Sequence, residues 1–137
     1  MPGKYRISLP LAYMIGIFIL SSIPGTSETG EAAELQTIFQ WISPDLQNLL
    51  HAPLFGGLAA CWYWALQGWT AGFCTTVATS LVISTLYSVF DEVYQLSVPG
   101  RFGSLSDLCL NILGVAVMLS GLILYHRKSA SCQLNQN

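Results

Sequence analysis

Apolar residues fall along this chain in four long runs, at 7–23, 49–66, 71–90 and 105–125, each nearly free of charge. Each run approaches the roughly 20 residues that a helix needs to cross the hydrocarbon of a bilayer. The pattern predicts an all-α membrane protein with four transmembrane helices. They form a single membrane domain over residues 1–128, followed by a polar tail over 129–137.

The polar stretches between the runs carry signals of their own. In the first, Leu35, Ile38, Phe39 and Ile42 recur at i, i+3, i+4, i+7, with Glu31 and Glu34 just before them and Gln36 among them. That spacing predicts a short amphipathic helix on the membrane surface or capping the bundle, in the first outer loop. Ser43-Pro44-Asp45 ends it and starts the second span: Ser43 suits the N-cap, Pro44 the first helical position, and Asp45 the positive helix end. Pro53, inside that span, cannot donate to the Leu49 carbonyl, and a kink is expected there. Pro99-Gly100-Arg101-Phe102-Gly103 reads as a turn, and Ser104 with Asp107 has capping-box spacing, so the fourth helix should start at about Leu105. Gly56, Gly57 and Ala60, with Gly114, Ala116, Ser120 and Gly121, offer small faces for close helix contact.

Composition agrees with the pattern: 53% of the 137 residues are hydrophobic and 9% are charged, with a mean hydropathy of +0.53. A chain this short cannot bury so much apolar surface in one soluble core. The placement of the charges is more informative than their sum. Lys4 and Arg6 precede the first run, and His126, Arg127 and Lys128 follow the last, which places both termini in the cytoplasm and requires an even number of crossings. All seven acidic residues then lie in the outer connections or at their helix ends, accompanied there by Arg101. The first run also resembles a secretory signal peptide, but Pro24 near the cleavage position and a length sufficient to span favour a retained helix. Trp62, Trp64 and Trp69 cluster at the short middle connection, as an interfacial aromatic belt would. No basic stretch suggests nucleic acid. Cys61, Cys74, Cys109 and Cys132 form no C-x-x-C pair and do not alternate with histidine, so neither a zinc cage nor a disulfide framework is expected, and no metal or cofactor is assigned.

The outer helix ends hold the candidate chemistry. Glu92 and Gln95 are spaced i, i+3 and Asp91 and Gln95 i, i+4, so they share one flank of the third span. Asp107 and Asn111 are one turn apart on the fourth, and His51 follows Asn48 near the outer end of the second. A purely structural account has Asp107 capping its helix, Asp91 or Glu92 pairing with Arg101, and Asn111 bonding to a neighbouring helix. The competing account is a site built from His51, Glu92, Gln95, Arg101, Asp107 and Asn111, because ionisable groups are costly near lipid and their convergence marks function. Arg101 before a helix N-terminus also suits an anion.

The segments NLLHAPLFGGL and DEVYQLSVPGRFGSLSDLCLNILG resemble the VanZ-like family of small membrane proteins. The resemblance runs from Ser21 to Gly114 and rests on His51, Glu92, Gln95, Pro99, Arg101, Asp107, Asn111 and Gly114. The family often carries an acidic and a basic residue just before its histidine, whereas this chain has Asp45 further upstream, with Gln47 and Asn48 between. The resemblance implies a multi-pass protein of the cell envelope, in the bacterial inner membrane, whose namesake is linked to glycopeptide antibiotic resistance. It implies no reaction.

Three functions are consistent with this reading. The first is a binding protein whose outer pocket takes an anionic envelope lipid or a phosphate-bearing precursor through Arg101 and the start of the fourth helix. The second is an intramembrane hydrolase or transferase with His51 or Glu92 as general base. The third is a proton-coupled path, which four spans without charge in their inner half do not complete unless a homo-oligomer supplies the rest.

Overall fold

The computed structural model describes residues 5–24, 44–70, 72–101 and 103–134, of which 44–48 and 130–134 are described as backbone alone. The amphipathic helix expected over 35–42 and the Ser43 cap lie outside the described residues. Four helices follow in order: α1 Ser8–Ser21, α2 Pro44–Leu66, α3 Phe73–Gln95 and α4 Leu105–Leu134. The starts expected at Pro44 and Leu105 are the observed ones. α2 continues through Pro53, and α4 continues past residue 128 into the stretch read as a tail.

Successive helices run in opposite directions. At one end of the bundle the Arg6 guanidinium lies 5.0 Å from the Trp64 ring. Phe73, at the start of α3, stacks there on His126 with centroids 4.1 Å apart. At the other end Ser22 and Tyr94 share a 3.0 Å hydroxyl contact, and His51 meets Asn111. Arg6 and His126 therefore sit at the same end, opposite the polar cluster. Stretches of α2, α3 and α4 are long and apolar enough to cross a membrane, whereas α1 has 14 residues. Its length of about 21 Å falls short of the roughly 30 Å hydrocarbon layer. Ile7 and Ser22 keep helical backbone angles at its two ends and lengthen it.

α2 is the central helix. Phe55, Leu58, Ala59, Trp62 and Ala65 recur on one face at helical spacing and are buried, joined by Ile17 of α1 and by Val115 and Leu119 of α4. In lipid such contacts hold helices together mainly by close packing, since the tails are as apolar as the side chains. That favours small residues at crossings: a side-chain carbon at Gly114 would collide with the Ala52 carbonyl, and one at Gly56 would stand 3.0 Å from the Gly114 carbonyl. Tyr13 of α1 packs against Gly57. Ala116 and Ser120, expected to pack, are exposed instead, and Gly121 borders open space along the α2–α4 seam. The tryptophans divide in the same way: Trp64 and Trp69 are exposed as a belt requires, but Trp62 shares the Phe55 face and is buried.

α3 is polar inside and apolar outside. Its buried residues are Thr76, Ser80, Ser84, Ser88, Asp91, Glu92 and Gln95, while Leu81, Val82, Leu86, Val89, Phe90 and Val93 face outward. Thr76, Ser80 and Ser88 donate to backbone carbonyls of the preceding turn, which allows hydroxyls to sit in an apolar interior. The stripe climbs four residues at a time and ends in the acidic cluster.

Candidate functional site

The turn between α3 and α4 sets the geometry of the cluster. Pro99 fixes its own φ, Gly100 takes the left-handed region at φ 71°, and the Arg101 N–H closes the turn on the Val98 carbonyl at 3.1 Å. Proline followed by a left-handed glycine is the pattern of a type II turn. This brings the start of α4 back over the end of α3, and the Ser104 N–H donates to Glu92 Oε2 at 3.2 Å. The capping box expected between Ser104 and Asp107 does not form by that route, because the Ser104 N–H is already taken by Glu92. Ser104 Oγ accepts instead from the Ser106 N–H at 3.2 Å.

Asn111 joins three helices. From α4 its amide Nδ2 donates to Glu92 Oε1 on α3 at 3.0 Å, and its Oδ1 lies 3.1 Å from His51 Nδ1 on α2. The carboxylate can only accept, so the amide must present its NH₂ to Glu92 and its oxygen to His51. His51 Nδ1 therefore carries a hydrogen and donates, and in the neutral imidazole the lone pair is then on Nε2. Glu92 thus receives donors on both oxygens. Next to it, Asp91 accepts from Gln95 Nε2 at 3.0 Å through Oδ2, while its Oδ1 is buried without a hydrogen-bond partner. Asp107 Oδ1 is in the same condition, and Asp107 is close enough to Glu92 for their charges to interact.

Arg101 is placed differently from the sequence expectation. Its Nε donates to the Ile23 carbonyl at 3.0 Å and its Nη2 to the Leu20 carbonyl at 3.2 Å. The last carbonyls of a helix lack partners and carry negative partial charge, so a guanidinium there is favourable. Neither Asp91 nor Glu92 forms the ion pair with Arg101 that the structural account expects; Arg101 acts on Asp91 through space.

Of the residues named from sequence, His51, Glu92 and Asn111 form one hydrogen-bonded chain, Gln95 supports Asp91, Asp107 adjoins Glu92, and Arg101 ties the turn to α1. Asp91, which the sequence places on the same flank as Gln95 but which is not among the six site residues named from it, belongs with the others. The signal for it was the stripe: Ser80, Ser84 and Ser88 repeat every four residues and lead to Asp91 and Glu92 on the same inward face. Asp91, Glu92 and Asn111 are 1%, 7% and 0% exposed.

A groove of about 190 Å³ opens beside this cluster between α3 and α4, lined by Val89, Val93, Leu96, Leu105 and Leu108 with Glu92 and Ser104 among them. A larger apolar groove of about 420 Å³ follows the α2–α4 seam from Ala52 and Pro53 to Gly121 and Leu122.

Neither the curated proteins nor the solved structures contain a match to this chain. A profile of the VanZ/LLP1 family, however, matches residues 7–126, a stretch that reaches from α1 into α4 and takes in the whole polar cluster. With its long apolar helices, the chain is a multi-pass membrane protein that belongs to the VanZ/LLP1 family.

Proposed function

We propose that this chain is a cell-envelope protein crossing the inner membrane four times, with both ends in the cytoplasm. In this reading its outer polar cluster binds the head of an anionic lipid or a phosphate-bearing lipid precursor. The observation that carries it is the α3–α4 groove, where apolar walls facing the lipid lead directly to Glu92 and Ser104. A lipid tail lies in such a groove without leaving the membrane, and its head then reaches the buried cluster. The N-terminal turn of α4 serves the phosphate, and Arg101, whose Nε and Nη2 hold the end of α1, adds its positive charge. The carboxylates and His51 Nε2 require donors, so the headgroup also carries hydroxyl or amine groups.

A second reading, an intramembrane hydrolase or transferase, draws on the Glu92–Asn111–His51 chain. A histidine held by Nδ1 with Nε2 free is oriented as a general base. One set of preparations tests both. Purified protein is assayed for co-purifying phospholipid and for turnover of an isoprenoid phosphate. Leu108→Trp, which fills the groove, and Arg101→Ala should each lower lipid retention about tenfold while helical circular dichroism is kept; unchanged retention in both variants rejects the binding site. Turnover lost in His51→Ala and Glu92→Gln selects the enzymatic reading.

A further inference from the structure

Carboxylates buried in a membrane bundle need a compensating charge or a proton. Asp91, Glu92 and Asp107 are each more than nine-tenths buried, and the guanidinium nearest to them in sequence spends its bonds on the carbonyls of Leu20 and Ile23. His51, Asp91 and Glu92 each offer one ligand atom, and these atoms lie within 4.8 Å of one another. Independently of that clustering, Asp91 Oδ1 is buried with no partner at hydrogen-bond distance, the Ser21 hydroxyl of α1 standing near the carboxylate.

We propose that His51, Asp91 and Glu92 form a binding site for one divalent transition-metal ion of the Mn²⁺ or Zn²⁺ type. The donor set points to this class. One imidazole and two carboxylates suit Mn²⁺ or Zn²⁺, whereas Ca²⁺ takes six to eight oxygens and Mg²⁺ avoids imidazole. The surrounding bonds orient each ligand as metal sites require. Asn111 holds His51 by Nδ1 and leaves Nε2 its lone pair, Asn111 and the Ser104 N–H fix Glu92, and Gln95 holds Asp91 by Oδ2. In a tetrahedral site with metal–ligand distances of about 2.1 Å the donors stand about 3.4 Å apart. Side-chain movements of about 1 Å therefore close the present arrangement around an ion. A dication balances the two ligating carboxylates. Three protein ligands leave at least one coordination position for water or a substrate oxygen.

The site shares His51 and Glu92 with the lipid reading but does not rest on it, because it is assayed without added lipid and either can fail alone. The full chain is purified in detergent, treated with a chelator, and titrated with Mn²⁺ while the free ion is followed by electron paramagnetic resonance. Mn²⁺ is chosen because it prefers oxygen and nitrogen to the separate thiols of Cys61, Cys74 and Cys109. One ion should bind per chain and raise the thermal unfolding temperature. Asp91→Asn and Glu92→Gln should each weaken binding at least about tenfold, and His126→Ala, at the opposite end of the bundle, should leave it unchanged. No saturable binding by the unaltered protein, or equal affinity in folded Asp91→Asn and Glu92→Gln variants, overturns the proposal. Should either variant fail to fold, the unaltered protein decides by itself: an unfolding temperature that Mn²⁺ does not move overturns it equally.

Discussion

Asn111 concentrates more of the cluster's order than any charged residue in it. It is fully buried, and one amide satisfies a carboxylate on α3 and a histidine on α2 at once. Replacing it with leucine keeps the volume but leaves Glu92 Oε1 and His51 Nδ1 without partners in an apolar interior. The cost of an unsatisfied buried polar group is about 1–3 kcal/mol. Asn111→Leu should therefore lower the unfolding free energy by about that amount in a detergent denaturation titration. Asn111→Asp should cost at least as much, because it sets another carboxylate against Glu92. A stability equal to that of the unaltered chain in both variants would show that Asn111 does not organise the cluster. At this scale the sequence reading named His51, Glu92 and Asn111 from their types and positions. The pairing of Arg101 with Asp91 or Glu92 expected by the structural account does not form, because helix-end carbonyls compete for a guanidinium as well as carboxylates do, and a distant helix end cannot be located from local spacing.

Among the elements, α2 and α4 form the tightest pair and α3 the most polar one. The α2–α4 crossing depends on the absence of a side chain at Gly114, where backbone meets backbone at Ala52. Gly121, seven residues on, has open space around it. Gly114→Ala should force the helices apart and cost about 1–3 kcal/mol. Gly121→Ala should stay within about 0.5 kcal/mol of the unaltered protein, and the higher helix propensity of alanine favours the stable side of that range. Parallel unfolding curves for the two variants make the comparison, and equal losses would contradict the packing described. For α3 the reversed amphipathicity has a physical reason. The outside of a membrane helix faces tails that accept only apolar groups, so small hydroxyls collect inside, where those of Thr76, Ser80 and Ser88 bond back to their own helix. The apolar runs locate α3 as a span, but the face carrying its serines becomes meaningful only once the neighbouring helices are in place.

For the molecule as a whole, the up-and-down order places Arg6 and His126 at one end and every member of the polar cluster at the other. In the proposed orientation the basic flanks face the cytoplasm and the cluster faces outward. Starting from a cysteine-free background, a cysteine at exposed Ser97 should react with a membrane-impermeant maleimide in intact cells. A cysteine at exposed Ser129 should react only after permeabilisation. The opposite labelling pattern would put the cluster on the cytoplasmic face and would remove the envelope-lipid reading with it.

The hydrophobic pattern by itself determined that this is a helical membrane protein, where its long helices lie, and that its acidic residues gather between particular spans. Those follow from one-dimensional quantities, since a span is a length of apolar chain and a cap is a local spacing. Only the tertiary structure decided that α1 is shorter than the others, that Trp62 is core and not belt, and that Asp91 stands with His51 and Glu92 within metal-binding reach. Those depend on which faces of separate helices meet. A metal set scattered over α2 and α3, with its orienting amide on α4, has no sequence spacing by which it could be read, because its ligands become neighbours only when the helices pack.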